Sequence, residues 1–176
     1  MQLDMFIITV QPILLYACEV WGHVKFDVLE RFFLSYLKSI LYVKKSTPNC
    51  FVYGELGVFP LYIEQRIRII KYWLKLIKPA DSKPNFAQRV YKEMLILQST
   101  QPNPSTWVTQ VKDILEKCGL GNFWKNQVIN DECSFISLFK QRVYDIFQQE
   151  WMGEVNLTSD YRLFQHVRDS YFSKNI

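Results

Sequence analysis

Arg68, Lys71, Lys75 and Lys78 recur at steps of three, four and three residues, with no acidic residue between the first and the last. Cations at that spacing line one edge of an α-helix, where a row of them can neutralise successive phosphates of a polyanion. Two readings fit the row. One is contact with a nucleic-acid backbone, with Tyr72 and Trp73 close by. The other is the ordinary solvated face of an amphipathic helix, whose cations near the C-terminus also complement the helix dipole. Glu64 is the only acid in the first turn of the same segment.

No other residues in the chain form a set that could move a bond. The four cysteines (Cys18, Cys50, Cys118 and Cys133) lie 32, 68 and 15 residues apart, and His23 and His166 stand alone. That spacing holds no zinc ligand set, so each cysteine is expected to pack as a small hydrophobe in a reducing, intracellular compartment, cytoplasmic or nuclear. No cofactor and no metal is expected. Glu19 and Glu55 lack the partner acid or base that general acid–base work needs, and Glu19 and Trp21 read as core-edge packing. Tyr16, Tyr53 and Tyr72 could stack on bases, but burial is the commoner fate of aromatics at helical spacing.

The elements that must carry these residues read as helices, and the expected fold class is all-α. Ile63, Ile67, Ile70, Leu74 and Ile77 step by four, three, four and three, giving one apolar stripe from Leu61 to Lys78 between Pro60 and Pro79. Apolar residues at the same steps predict a helix from Lys25 to Val43. Ser46-Thr47-Pro48 opens another, which ends at Glu55-Leu56-Gly57. After the polar stretch 80–84, helices are expected over Phe86–Gln98, Trp107–Cys118 (capped by Ser105 or Thr106 and stopped by Gly119 and Gly121), Phe123–Ile129 and Ser134–Trp151. A last one runs from Ser159 to about Ser170. Met5 to Cys18 is apolar but too short to span a bilayer and has no basic residues before it, so it is expected to be a buried helix rather than a signal or anchor. No membrane association follows. The sequon Asn156-Leu157-Thr158 is read as a chance match.

Composition agrees with a packed helical protein. Of 176 residues, 49% are apolar and 16% aromatic, which excludes intrinsic disorder for most of the chain. Six Gly and seven Pro are too few for collagen-like or many-turned β designs. Residues 1–80 hold ten Lys/Arg against six Asp/Glu, whereas 81–176 hold eleven of each, so the whole net charge of +4 lies in the N-terminal half. A polyanion would dock there.

The order of several short runs resembles a known family. Pro12-Ile13-Leu14-Leu15-Tyr16-Ala17-Cys18-Glu19-Val20-Trp21-Gly22 comes first, then Phe33 and Leu41-Tyr42-Val43-Lys44-Lys45-Ser46-Thr47-Pro48-Asn49. Val52-Tyr53-Gly54-Glu55-Leu56-Gly57-Val58-Phe59-Pro60-Leu61 and the pair Tyr72-Trp73 follow. Together they resemble the region just downstream of the catalytic palm in non-LTR (LINE-type) retrotransposon reverse transcriptases. There a P-ILLYG-EVWG pattern begins the thumb and K-STPN-VYGELG-PL follows. Gln141-Arg142 to Trp151 and Tyr161-Arg162-Leu163-Phe164 are similar to the helical linker further along. The match is specific over residues 12–75 and weaker after Pro79. Ala17 stands where the family has Gly.

The resemblance implies a multi-helix thumb-like bundle over 1–79, a linker at 80–84 and a second helical segment over 85–176. It brings no catalytic residue, because the chain has no Asp-Asp pair to hold the polymerase metals and none of the matching positions is catalytic. The expectation is therefore not an enzyme on its own but a fragment that holds duplex, RNA–DNA or DNA, by its backbone. Arg68, Lys71, Lys75 and Lys78 would make the contact, with Lys44 and Lys45 from the preceding turn, and Glu55 would serve structure. The alternative is a decayed or repurposed helical interaction module with no nucleic-acid role, self-associating through the apolar segment Met5–Tyr16 that the missing palm would leave exposed.

Overall fold

A helix whose side chains are apolar on several faces must be covered on several faces, and Leu61–Ile77 meets that condition. Beyond the stripe Ile63, Ile67, Ile70 and Leu74, it also buries Leu61, Ile69, Trp73 and Leu76, while Ile77 is only half-buried. The computed structural model describes residues 2–22, 27–78, 85–100 and 106–157. Among these the fold is all-α, with no strand. The elements are α1 (Gln2–Met5), a π-helix (Phe6–Val10), α2 (Gln11–Leu14), α3 (Cys18–Trp21), α4 (Asp27–Ile40), α5 (Asn49–Leu56), α6 (Leu61–Ile77), α7 (Phe86–Thr100), α8 (Trp107–Lys117), α9 (Gly121–Asn126) and α10 (Glu132–Leu157). The expected linker at 80–84, the helix from Ser159 and the run Tyr161–Phe164 lie outside the described residues.

The chain groups into two compact units, each discontinuous in sequence. One comprises residues 1–16, 26–63 and 144–176, the other 17–25 and 64–143. This grouping does not follow the order of the chain, and α6 and α10 each contribute residues to both units.

In the first unit, Phe6 is buried against Tyr36 and Phe33, with ring centroids 4.5 and 5.2 Å apart. Phe59 packs on Tyr144 and Phe147, and Trp151 Nε1 donates to the Cys50 carbonyl at 2.7 Å. Gly57 closes α5 at φ 63°, a left-handed conformation that costs glycine little. The expectation that Met5 to Cys18 forms a buried helix is corrected: Phe6, Leu15 and Cys18 are buried, but Met5, Ile7, Ile8, Ile13 and Tyr16 are exposed. A helix apolar on every side needs cover on every side. Here, moreover, the π-turn at Phe6–Val10 shifts the register, so that no single stripe of the segment faces inward.

Among the described residues of this unit, Glu30 is the one acid drawn toward the interior. Burial pushes its carboxyl up, against the opposing pull of the Tyr53 hydroxyl and the backbone N–H groups of Tyr62 and Leu61 at the start of α6. A raised folded-state value means that the native protein holds this proton more tightly than the unfolded chain. The stabilisation is full below the ordinary glutamate range and is lost as pH rises through the native value. Glu30→Gln, which keeps an oxygen for Tyr53 without charge, is therefore expected to be more stable than wild type at pH 7, by on the order of 1 kcal/mol. The gap should close toward pH 4. Urea midpoints at the two pH values check this, and an equal gap at both would reject it.

In the second unit, four local devices set the ends of the helices. Asn85 and Gln88 form a reciprocal cap on α7: Gln88 N–H donates to Asn85 Oδ1 at 2.8 Å, and Asn85 N–H donates to Gln88 Oε1 at 3.1 Å. Thr106 caps α8 by accepting from Thr109 N–H. At the other end of α8, Gly119 (φ 71°) lets Leu120 N–H reach the Leu115 carbonyl at 2.8 Å, with both leucines buried. Asp131 accepts from Ser134 N–H ahead of α10, and those Ser134 bonds hold its carboxyl below the usual range. α10 runs past the expected end at Trp151 to Leu157.

Candidate nucleic-acid interface

Arg68, Lys71 and Lys75 on α6, and Lys78 one residue past its end, all lie in the second unit. Arg68 to Lys78 spans ten residues, about 15 Å at 1.5 Å per residue. Lys71 and Lys75 are exposed. Arg68 and Lys78 are not bare: Arg68 Nε lies 3.2 Å from Glu64 Oε1, and Lys78 Nζ lies 3.0 Å from Glu132 Oε1. Side chains in both pairs are between 34% and 64% exposed. Such exposed pairs are worth about 0.2–1 kcal/mol, so a phosphate can replace the carboxylate at small cost.

The end of the helix that bears Lys75 and Lys78 is fixed from behind. Gln88 is buried and its Nε2 donates to the Lys78 carbonyl at 2.9 Å and to that of Lys75 at 3.5 Å. The same glutamine therefore caps α7 and satisfies the orphan carbonyls at the end of α6. The backbone beneath the two lysines is held, with the Lys75 side chain exposed and that of Lys78 in an exposed ion pair with Glu132.

The remaining expected site residues divide. Lys44 and Lys45 are exposed but belong to the first unit, so the structure does not join them to the α6 row. Trp73 is fully buried and cannot stack on a ligand; Tyr72 is half-buried with its ring 5.8 Å from that of Trp107. Tyr53 is buried, while Tyr16 is exposed. Glu55 is exposed on α5, and Glu19 is half-buried, its carbonyl accepting from Trp107 Nε1 at 2.7 Å. Ala17 adopts φ 53°, which an alanine holds at a cost and a glycine would not.

Cys18, Cys50 and Cys118 are buried, as expected, and burial pushes each thiol up, that of Cys18 to about 11. Cys133 is exposed, which corrects the expectation for that residue. It sits beside the buried row of α10, whose residues Phe135, Phe139 and Val143 recur every four positions and leave its own face to solvent. Among the described residues no group of three or more His, Cys, Asp or Glu could hold a metal. No helix of these residues is long and apolar enough to cross a membrane.

The second unit also holds a groove that the sequence did not announce. It encloses about 620 Å³, and its walls include Val20, Tyr72, Leu76, Phe86, Tyr91 and Trp107. These come from α3, α6, α7 and α8, so no local pattern marks them as neighbours. No family model, curated protein or solved structure matches the chain.

Proposed function

We propose that this chain is part of the thumb and following helical linker of a non-LTR (LINE-type) reverse transcriptase polyprotein, and that it holds a nucleic-acid duplex by its phosphate backbone. The observation that carries the reading is the α6 edge and the residue after it: four cations over about 15 Å, three of them exposed, on a helix whose end Gln88 anchors. The ordered motif series of residues 12–75 supports it, and so does the left-handed Ala17 where the family has glycine. Arginine and lysine in such a row position a backbone and read no bases. No bond-making step is assigned to the chain.

The test is fluorescence anisotropy of an RNA–DNA hybrid across a salt series. Neutralising about four phosphates gives a slope of log K against log salt of about −3 to −4. Lys71→Glu with Lys75→Glu changes two exposed side chains and leaves the core alone. That pair of changes is expected to reduce the slope by about 2 and to weaken binding to every sequence alike. Wild-type affinity in the double variant would remove the α6 edge from the reading.

The exposed apolar residues Met5, Ile7, Ile8, Ile13 and Tyr16 favour a second reading, a helical interaction module. A mass that rises with concentration, together with no salt-sensitive duplex binding, would put that reading first.

A further inference from the structure

Tyr72 belongs to two features at once. It walls the groove of the second unit, and on the surface of α6 it lies four residues after Arg68 and three before Lys75, the spacings at which helical side chains are neighbours. The groove therefore opens beside the cation row rather than on a neutral face. Its other aromatic walls are Phe86, 75% exposed at the start of α7, and the buried Tyr91 and Trp107, whose ring centroids stand 6.2 Å apart, edge to face.

Apart from the Tyr72 hydroxyl, the polar side-chain atoms along these walls are already committed. Tyr91 OH accepts from Trp73 Nε1 at 3.0 Å and donates to Gln127 Oε1 at 2.8 Å. Trp107 Nε1 donates to the Glu19 carbonyl, and Thr106 Oγ1 accepts from Thr109 N–H. What remains for a ligand is apolar and aromatic surface next to positive charge. A guest recognised there needs a flat apolar body and an adjoining anion, and one tyrosine hydroxyl is too little to read the edge of a base.

We propose that this groove takes an unpaired nucleobase, stacked on Phe86 and Tyr72 with its phosphate at Arg68 and Lys75, so that the protein holds a junction between duplex and single strand. The proposal rests on the backbone-binding reading above and extends it. At about 620 Å³ the space exceeds what one base fills and is within the range of small-ligand sites. Stacking without edge contacts predicts tolerance of sequence, because every base has a π face.

The experiment compares three probes with the whole chain by anisotropy: a blunt RNA–DNA hybrid, the same hybrid with a short thymidine overhang, and the hybrid with an abasic overhang of equal length. The abasic probe carries the phosphates without the bases. The base-bearing overhang is expected to bind about tenfold more tightly than the abasic one, the effect of one stacked base. Phe86→Ala, at an exposed position that the core does not need, should abolish that gain and leave blunt-duplex affinity and its salt slope unchanged.

Equal binding of the two overhangs, with salt-sensitive blunt binding intact, would overturn the groove assignment and spare the backbone reading. Failure of all three probes would overturn both. Persistence of the gain in Phe86→Ala would overturn the assignment too, as would capture of an acidic, leucine-rich peptide in a Phe86-dependent way with no gain from bases.

Discussion

Replacing Trp73 by alanine is expected to cost about 4 kcal/mol of stability, the middle of the range for emptying a large aromatic site. The side chain is fully buried, with Trp124 and Phe135 rings 6.0 and 6.2 Å away and Nε1 bonded to Tyr91 OH. Four elements therefore meet on one residue: α6 supplies it, and α7, α9 and α10 surround it. The hole left by alanine is lined by rigid rings that cannot collapse into it. Trp73→Phe should cost about 1–2 kcal/mol, since it keeps most of the packing and loses one buried hydrogen bond. Urea unfolding checks both. A loss below about 0.5 kcal/mol for Trp73→Ala would mean that the indole faces solvent, as a surface position behaves.

That contrast bears on what the sequence can reveal about a site. Tyr72 and Trp73 are adjacent and chemically alike, and the chain pattern places both near the cations. Only the packing of α7 and α9, elements well downstream in sequence, turns one inward and leaves the other at a groove. The row Arg68, Lys71, Lys75 and Lys78 was legible because it needs nothing beyond helical period. Its pairing with Glu132 was not, since that carboxylate arrives from α10. The groove was equally hidden, because it needs four elements at once.

The fold was more open to reading where local chemistry decides it. Pro60 and the apolar stripe mark α6, Thr106 marks α8, and Gly57 and Gly119 mark ends that take positive φ. Local reading failed at the two ends of the described chain. α10 continues beyond Trp151 because Val155 extends the buried four-residue row, and Gly153 within it has nothing for a side chain to touch. Near the start, apolar composition reads as burial, yet composition cannot say how many faces are covered, and the π-turn spreads Ile7, Ile8 and Ile13 outward. Those residues matter to function either way. In the backbone-binding reading they are the face left where the palm would pack; in the rival reading they are the interface itself.

Gly22→Ala is expected to cost about 3 kcal/mol, although its φ of −65° is one that any residue can adopt. The reason is space. A methyl group there would press far inside van der Waals contact on two groups, the Cys18 carbonyl and the Gln65 side-chain amide. The first is the backbone of α3 and cannot turn aside. The second is a buried glutamine whose Nε2 donates to the Gly22 carbonyl, which also accepts from Gln110 Nε2 at 3.4 Å. Moving Gln65 would leave its buried amide short of a partner, so the clash adds an unsatisfied polar group to a steric cost. In a chain of this size the loss should lower Tm by about 6–12 °C. A second substitution separates the causes. If the amide carries most of the clash, Gln65→Ala should recover much of the loss when combined with Gly22→Ala. If the Cys18 carbonyl carries it, the double variant should be at least as unstable as the single. In both cases a close approach, not turn geometry, is what holds glycine at this position, immediately beside the helix whose far end bears the cation row.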